Sequence, residues 1–170
     1  MRRGIAGVFS GHFIEAHRKA IEFAKKVYST SIIPNLNLDI GFFNLYPEDT
    51  ELSQAIKGFN LIFSSKGLIK NNGAIIFLTA ASEGRGFHSL QAESGATLYK
   101  NWGEIAWFKS LFKRRIFGIF SKNINQTDVL HFYPSKTIFN KNFKEMIEDL
   151  KEIYGTSPKV GIFPCSIQLS

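Results

Sequence analysis

The sequence is short of several things, and each shortage closes a door. It has one cysteine, Cys165, so the chain cannot form an internal disulfide or a multi-cysteine zinc site on its own. That frugality fits a reducing compartment. No run approaches the ~18 uninterrupted apolar residues of a membrane span. After the basic Met1-Arg2-Arg3, the apolar run Gly4–Phe9 is too short for a secretory signal. The expected compartment is therefore the cytoplasm, with no membrane partner. No GxGxxG or Walker segment is present, which argues against a nucleotide site. Acidic residues are also scarce: 14 Asp and Glu stand against 21 Lys and Arg, a formal charge of +7. A positive surplus favours phosphate- or carboxylate-bearing partners. The basic clusters at Lys25-Lys26 and Lys109–Arg115 lack interleaved aromatics, so no nucleic-acid partner is expected.

What the chain has in abundance is phenylalanine. Seventeen Phe in 170 residues demand a packed interior, because each ring buries a large apolar area. The length suits one domain with one core, and neither a repeat nor a linker interrupts it.

Apolar runs alternate with helical periodicity. Gly4–Phe9 reads as a buried strand. Phe13, Ala16, Ala20, Phe23, Ala24 and Val27 then recur at spacings of three and four, which predicts an amphipathic helix over 12–29. Ser31–Ile33 is a candidate short strand. Asp39–Leu45 predicts a strand, followed by the turn Tyr46–Thr50, where Asp49 or Thr50 can cap a helix running to about Leu68. Ala74–Leu78, continuously apolar, predicts a strand buried on both faces. Gly103–Phe112 predicts a helix, Arg115–Phe120 a strand, Asp128–Phe132 a helical turn and Lys136–Phe139 a short strand. A helix over Asn140–Tyr154 and a strand over Lys159–Phe163 close the pattern. Such alternation predicts an α/β three-layer sandwich with a mostly parallel sheet of about five to six strands.

In such a sheet, ligands collect beyond the carboxyl ends of the strands. Three edges qualify: Phe9–His12, Leu45–Thr50 and Leu78–Gly86. Gln54 and Lys57, three apart at the start of a helix, would share one side. With free N–H groups at the helix N-terminus they could hold a small carboxylate; otherwise they are ordinary surface residues. Around them, Asp49, Glu83, Gly84, Gly86 and His88 are candidate pocket-loop residues. Glu83 and His88 could exchange a proton, or His88 could make a structural hydrogen bond. His12 and His17, five apart, would face different sides of a helix, with His17 at the helix–sheet boundary. His131 is a boundary candidate too. No histidine grouping predicts a metal site, and Cys165 reads as a partly buried residue without an assignable base.

Several segments together resemble the C-terminal domain of the nickel-dependent lactate racemase family, in its less-characterised racemase-like branch. They are Ile5–Gly11 with Glu15-Ala-His-Arg18, and Pro47-x-Asp49-x-x-Leu52-x-Gln54-Ala55-x-Lys57. Asn72–Ile76, Glu83-Gly84-x-Gly86, Phe87–Leu90, Leu98-Tyr99 and the tail Phe163–Leu169 follow in order, so the resemblance spans nearly the whole chain. It implies that residues 1–170 form a single domain from which the N-terminal cofactor-binding half is absent. The chain would then be a fragment, a split gene product or a truncated chain. The resemblance further implies that the full-length protein uses a nickel-pincer nucleotide to move a hydride at the α-carbon of a 2-hydroxy acid. This domain would bind no cofactor or metal itself and would be inactive alone. Its share is substrate contact through Gln54 and Lys57, with a small hydroxy-carboxylate as ligand and an N-terminal half on a separate chain as possible partner. Ser53, where the family often has tyrosine, and Asn44-Leu45-Tyr46, in place of a glycine-rich turn, imply a substrate other than lactate, such as a larger hydroxy acid or a sugar acid. A non-catalytic carboxylate-binding or assembly module is the alternative.

Overall fold

The computed structural model describes residues 4–29, 32–87 and 106–166. In chain order it contains α1 (Phe13–Tyr28), β1 (Leu38–Asn44), a 3₁₀ helix (Leu52–Gly58), α2 (Phe59–Ser64) and β2 (Ile69–Leu78). The chain continues through α3 (Ala106–Arg114), β3 (Ile116–Phe120), α4 (Gln126–Phe132), β4 (Ile138–Asn140), α5 (Phe143–Tyr154) and β5 (Val160–Phe163). The five strands form one sheet in the order β4-β3-β2-β1-β5, and every pairing is parallel. Helices lie on both faces, as the alternating pattern predicts.

The pleat sends alternate residues to opposite faces, and the two faces are built differently. On the first, Phe43, Ile75, Phe77, Phe117, Ile119 and Phe163 meet the 3₁₀ helix and α2, α3 and α4. Phe59 is the hub there, with ring centroids 4.6 Å from Phe77, 5.3 Å from Phe117 and 5.8 Å from Phe112. On the second, Ile40, Phe42, Ala74 and Ile76 meet Met146 and Leu150 of α5. The strand order explains the asymmetry. The chain steps from β1 outward to β4 with its crossovers on one face, then returns past β1 to β5. A right-handed return crossover places α5 on the other face.

At the amino end of the sheet, Asp39 ties three strands together. Its carboxylate accepts from Lys70 Nζ at 2.6 Å on β2 and from Lys159 N at 2.8 Å just before β5. The hydrogen bond from Lys70, then that from Lys159, holds the Asp39 carboxyl below its ordinary value.

Five expectations fail here. Gly4–Phe9 is not a buried strand: it is exposed, has no sheet partner, and folds back on α1, with the Phe9 and Phe23 rings 5.4 Å apart. The expected carboxyl edge at Phe9–His12 goes with it, and His17 is exposed on α1 rather than at a helix–sheet boundary. Ile32 and Ile33 are not strand; Ile32 and Leu36 instead pack against the first-face core. The helix expected from Asp49 to Leu68 is two pieces, a 3₁₀ segment and the short α2, ending at Ser64. The remaining strands and helices fall within three residues of their expected bounds, except that β2 starts five residues earlier; of the helix expected over Gly103–Phe112, residues 103–105 lie outside the described residues, and α3 spans Ala106–Arg114.

Candidate functional site at the carboxyl edge

The carboxyl ends of β1, β2 and β3 frame a cleft of about 290 Å³ lined by Asn44, Asp49, Thr79, Ala80, Lys122 and Asn123, with Leu78 and Phe120 as its apolar wall. This is where an open parallel sheet gathers ligands. The polar groups are held by their neighbours. Asn44, the last residue of β1, accepts from Tyr46 N at 3.3 Å and donates to Pro164 O at 2.9 Å. Asn123 donates to Ala80 O at 2.7 Å. Sequence reasoning held Asn44 only as a departure in the β1 turn and Thr79 only as part of the Leu78–Gly86 edge, and it missed Lys122 and Asn123 altogether, because the four come from three separate strand ends and share no local motif. Their common signal is positional: each lies at or just after a strand's last residue.

Asp49 lines the cleft, but it does not cap a helix. Its backbone carbonyl accepts from Ala81 N at 2.7 Å and Thr79 Oγ1 at 3.2 Å, and its carboxylate accepts from Ala80 N at 3.3 Å. The residue thus staples the β1 turn to the β2 turn. The N-cap of the 3₁₀ helix is Glu51, which makes no side-chain cap bond.

The expected free N–H groups at that helix start are also spent. Leu52 N donates to Gly84 O at 2.9 Å, Ser53 N to Arg85 O at 3.1 Å and Gln54 N to Glu51 O at 3.2 Å. Saturated donors offer an anion nothing, so the helix-terminus part of the expectation is overturned. The loop that satisfies them is the glycine segment. Glu83 N donates to Thr50 O at 2.8 Å, and Phe87 N donates to the buried carboxylate of Glu51 at 2.9 Å. Gly86 has a positive φ of +86°, and a β-carbon there would run into Glu51 Oε2. Its glycine is thus explained by a close carboxylate and a left-handed backbone. The roles seen for Gly84 and Gly86 are structural. Among the candidates in this loop, His88 lies outside the described residues, so its pairing with Glu83 does too.

Lys57 reaches back from the 3₁₀ helix to form an ion pair with Glu48 in the β1 turn. Both side chains keep roughly two-fifths of their surface exposed, 38% and 43%. Gln54 is half-buried one turn away on the same helix. Neither residue lines the cleft that contains Asp49. Ser53 is fully buried, and its hydroxyl has no hydrogen-bond partner among the described residues. Cys165 is partly buried and donates to Tyr46 O at 3.2 Å.

Among the described residues, no group of three His, Cys, Asp or Glu could hold a metal ion. The donor set lining the cleft, two amides, one hydroxyl, one lysine and one stapled carboxylate, suits hydrogen bonding to an oxygen-rich ligand. It does not fit a nickel centre, whose binding needs convergent imidazole, thiolate or carboxylate donors. No described helix is long and apolar enough to cross a membrane.

No family model matches the chain, and no curated protein matches it by sequence. Among solved structures it is similar to the lactate racemase apoprotein of Thermoanaerobacterium thermosaccharolyticum, at 17% identity and a TM-score of 0.62. That likeness covers 94% of this chain and 41% of the other, so the chain spans less than half the length of its neighbour. The fold described above is therefore one that this lactate racemase also contains.

Proposed function

We propose that the chain is the substrate-contacting half of a 2-hydroxy-acid racemase or epimerase, inactive alone, corresponding to the C-terminal domain of nickel-pincer-dependent lactate racemases. Carrying the reading is one coincidence. The segment Pro47-x-Asp49-x-x-Leu52-x-Gln54-Ala55-x-Lys57, which resembles that family's substrate-contacting motif, lies at the carboxyl edge of a fold similar to a lactate racemase apoprotein.

In this reading Lys57 binds the ligand carboxylate by a charge-assisted hydrogen bond, and the Gln54 amide orients the hydroxyl. Glu48 now holds the lysine, and an entering carboxylate takes over that partnership. The hydride chemistry belongs to a cofactor half supplied on another segment or a separate chain, and this chain binds and orients. The test supplies the cofactor-bearing half of a lactate racemase-type protein and follows optical rotation over a panel of 2-hydroxy acids. The expected result is turnover that Lys57→Ala and Gln54→Ala each reduce by roughly 100-fold, the scale of a lost positioning contact. Absence of turnover across the panel overturns the enzymatic reading.

A second reading, a non-catalytic module that binds small carboxylates, is favoured by the cleft that brings Asn44, Asp49, Lys122 and Asn123 together. Calorimetry with small hydroxy and plain carboxylates separates the two. Binding abolished by Lys122→Ala but untouched by Lys57→Ala, with no turnover in the reconstituted system, supports the module.

A further inference from the structure

A cavity of about 350 Å³ opens at the amino end of the sheet, where α2 and α3 finish on the first face and β2 begins. Phe63, Leu68 and Leu111 give it an apolar wall, and Lys66, Ser110 and Arg115 bring polar groups to it. From here β2 runs ten residues to the carboxyl edge, about 30 Å away. A small ligand at one end therefore touches nothing at the other.

Arg115 is the residue that its surroundings leave uncompensated. It stands half-buried just before β3. Its Nη2 is spent, donating to Ile69 O at 3.1 Å and to Asn71 Oδ1 at 3.2 Å. Because Ile69 itself lines the cavity, those bonds hold the head group on the cavity's side. Nε is buried without a partner, and Nη1 donates to nothing among the described residues. No described Asp or Glu pairs with this guanidinium, whereas Lys70, at the same end, has Asp39. Burial, and then Arg114 beside it, hold the basicity of Arg115 below its ordinary value. A guanidinium nevertheless stays charged, and a partly desolvated charge without a counter-ion is costly.

The neighbourhood does not supply the missing negative charge. Lys66 is exposed and likewise has no acidic partner among the described residues. The last turn of α3 carries Lys113 and Arg114. The carbonyl end of α3 contributes about half a negative charge, and Lys136 already donates to one of those carbonyls, Phe112 O. The cations outweigh that half charge, so the cavity is positive.

We propose that this cavity binds an oxyanion carried on an apolar body, a carboxylate or a phosphate ester. One oxygen accepts from Arg115 Nη1, Lys66 and Ser110 are available to the next, and the body lies against Phe63, Leu68 and Leu111. Charge-assisted bonds from a guanidinium are among the strong ones. Ile69 and Asn71 already hold the side chain, so it has little freedom left to lose on binding. The site shares no residue with the carboxyl edge, and the two stand or fall separately.

The test is calorimetry on the full chain with octanoate and octyl phosphate, below their micelle-forming concentrations, and with acetate as the probe that lacks a body. The two amphiphiles distinguish the carriers, and binding of either, about tenfold or more tighter than acetate, supports the proposal. Arg115→Gln is expected to weaken that binding by about tenfold or more. Ser110→Glu sets a carboxylate of the chain's own before the guanidinium and is expected to do the same. Ser110 is exposed, so this variant decides the matter even if Arg115→Gln fails to fold. Lys57→Ala and Lys122→Ala should leave the binding unchanged, which separates it from any carboxylate held at the carboxyl edge. A chain that binds neither amphiphile, or binds acetate as tightly, overturns the proposal. So does binding that survives Arg115→Gln or Ser110→Glu, or that Lys57→Ala or Lys122→Ala removes.

Discussion

The two faces of the sheet have received very different shares of the aromatic side chains. The first is sealed by a Phe59–Phe77–Phe117–Phe112 cluster beneath four helical elements, whereas the second has Met146 and Leu150 of one helix and ends in exposed Ile162 and Val160. The difference teaches that burial here follows the direction of the crossovers rather than the apolarity of the strands. β5 shows it: Phe163, on the side along which the chain advances, is buried, whereas Val160 and Ile162, on the other side, stay exposed.

The sharpest way to break this comparison is to hollow out each face. Phe59→Ala should cost about 4 kcal/mol and Met146→Ala about 2 kcal/mol in urea unfolding. Equal losses would mean that the second face is better supported than its single helix implies. Next in size is the belt of loop over the carboxyl edge. Gly86→Ala, which puts a methyl against Glu51 in a left-handed backbone, should cost about 2–3 kcal/mol. Gly84→Ala, also at positive φ but with open space around it, should cost about 1 kcal/mol, and the ratio of the two isolates the Glu51 contact.

The amino end answers to pH. Because the folded Asp39 carboxyl lies below its unfolded value of 3.8, its contribution is complete above that value. It is lost as pH falls through the lower folded one. Acid unfolding of the wild type should therefore show a steeper loss of stability below about pH 4 than Asp39→Asn does. Identical slopes would remove Asp39 from the account. The smallest effect is a gain. Ser53→Ala deletes a buried hydroxyl that has no partner among the described residues and should stabilise by up to about 1 kcal/mol. A loss instead would reveal a partner for that hydroxyl.

Legibility in the sequence divides along a physical line. The strands β1, β2, β3 and β5 and the helix α5 were readable because their apolar periodicity is local and strong, and the alternation predicted the parallel sheet. Gly4–Phe9 misled because an apolar hexamer reads the same whether it pairs with a sheet or folds onto its own helix. The start of the 3₁₀ helix misled for a related reason: its N–H groups look free in sequence, but carbonyls thirty-odd residues away, at Gly84 and Arg85, take them. Asp49, expected as a helix cap, sits at the edge as a staple instead. Lys122 and Asn123 were invisible, and Asn44 and Thr79 were given no role in a cleft, because only the sheet order brings their strand ends together.

The Glu48–Lys57 pair has a thermodynamic corollary. A ligand that reaches the lysine does not meet a bare cation; it exchanges one carboxylate for another, and the displaced glutamate returns to water. A simple anion such as acetate gains almost nothing from that swap. Under the proposed function, preference would come from whatever else the incomer carries, so that a molecule with a neighbouring hydroxyl would outcompete a plain acid, and discrimination would arise from the second handle rather than the charge.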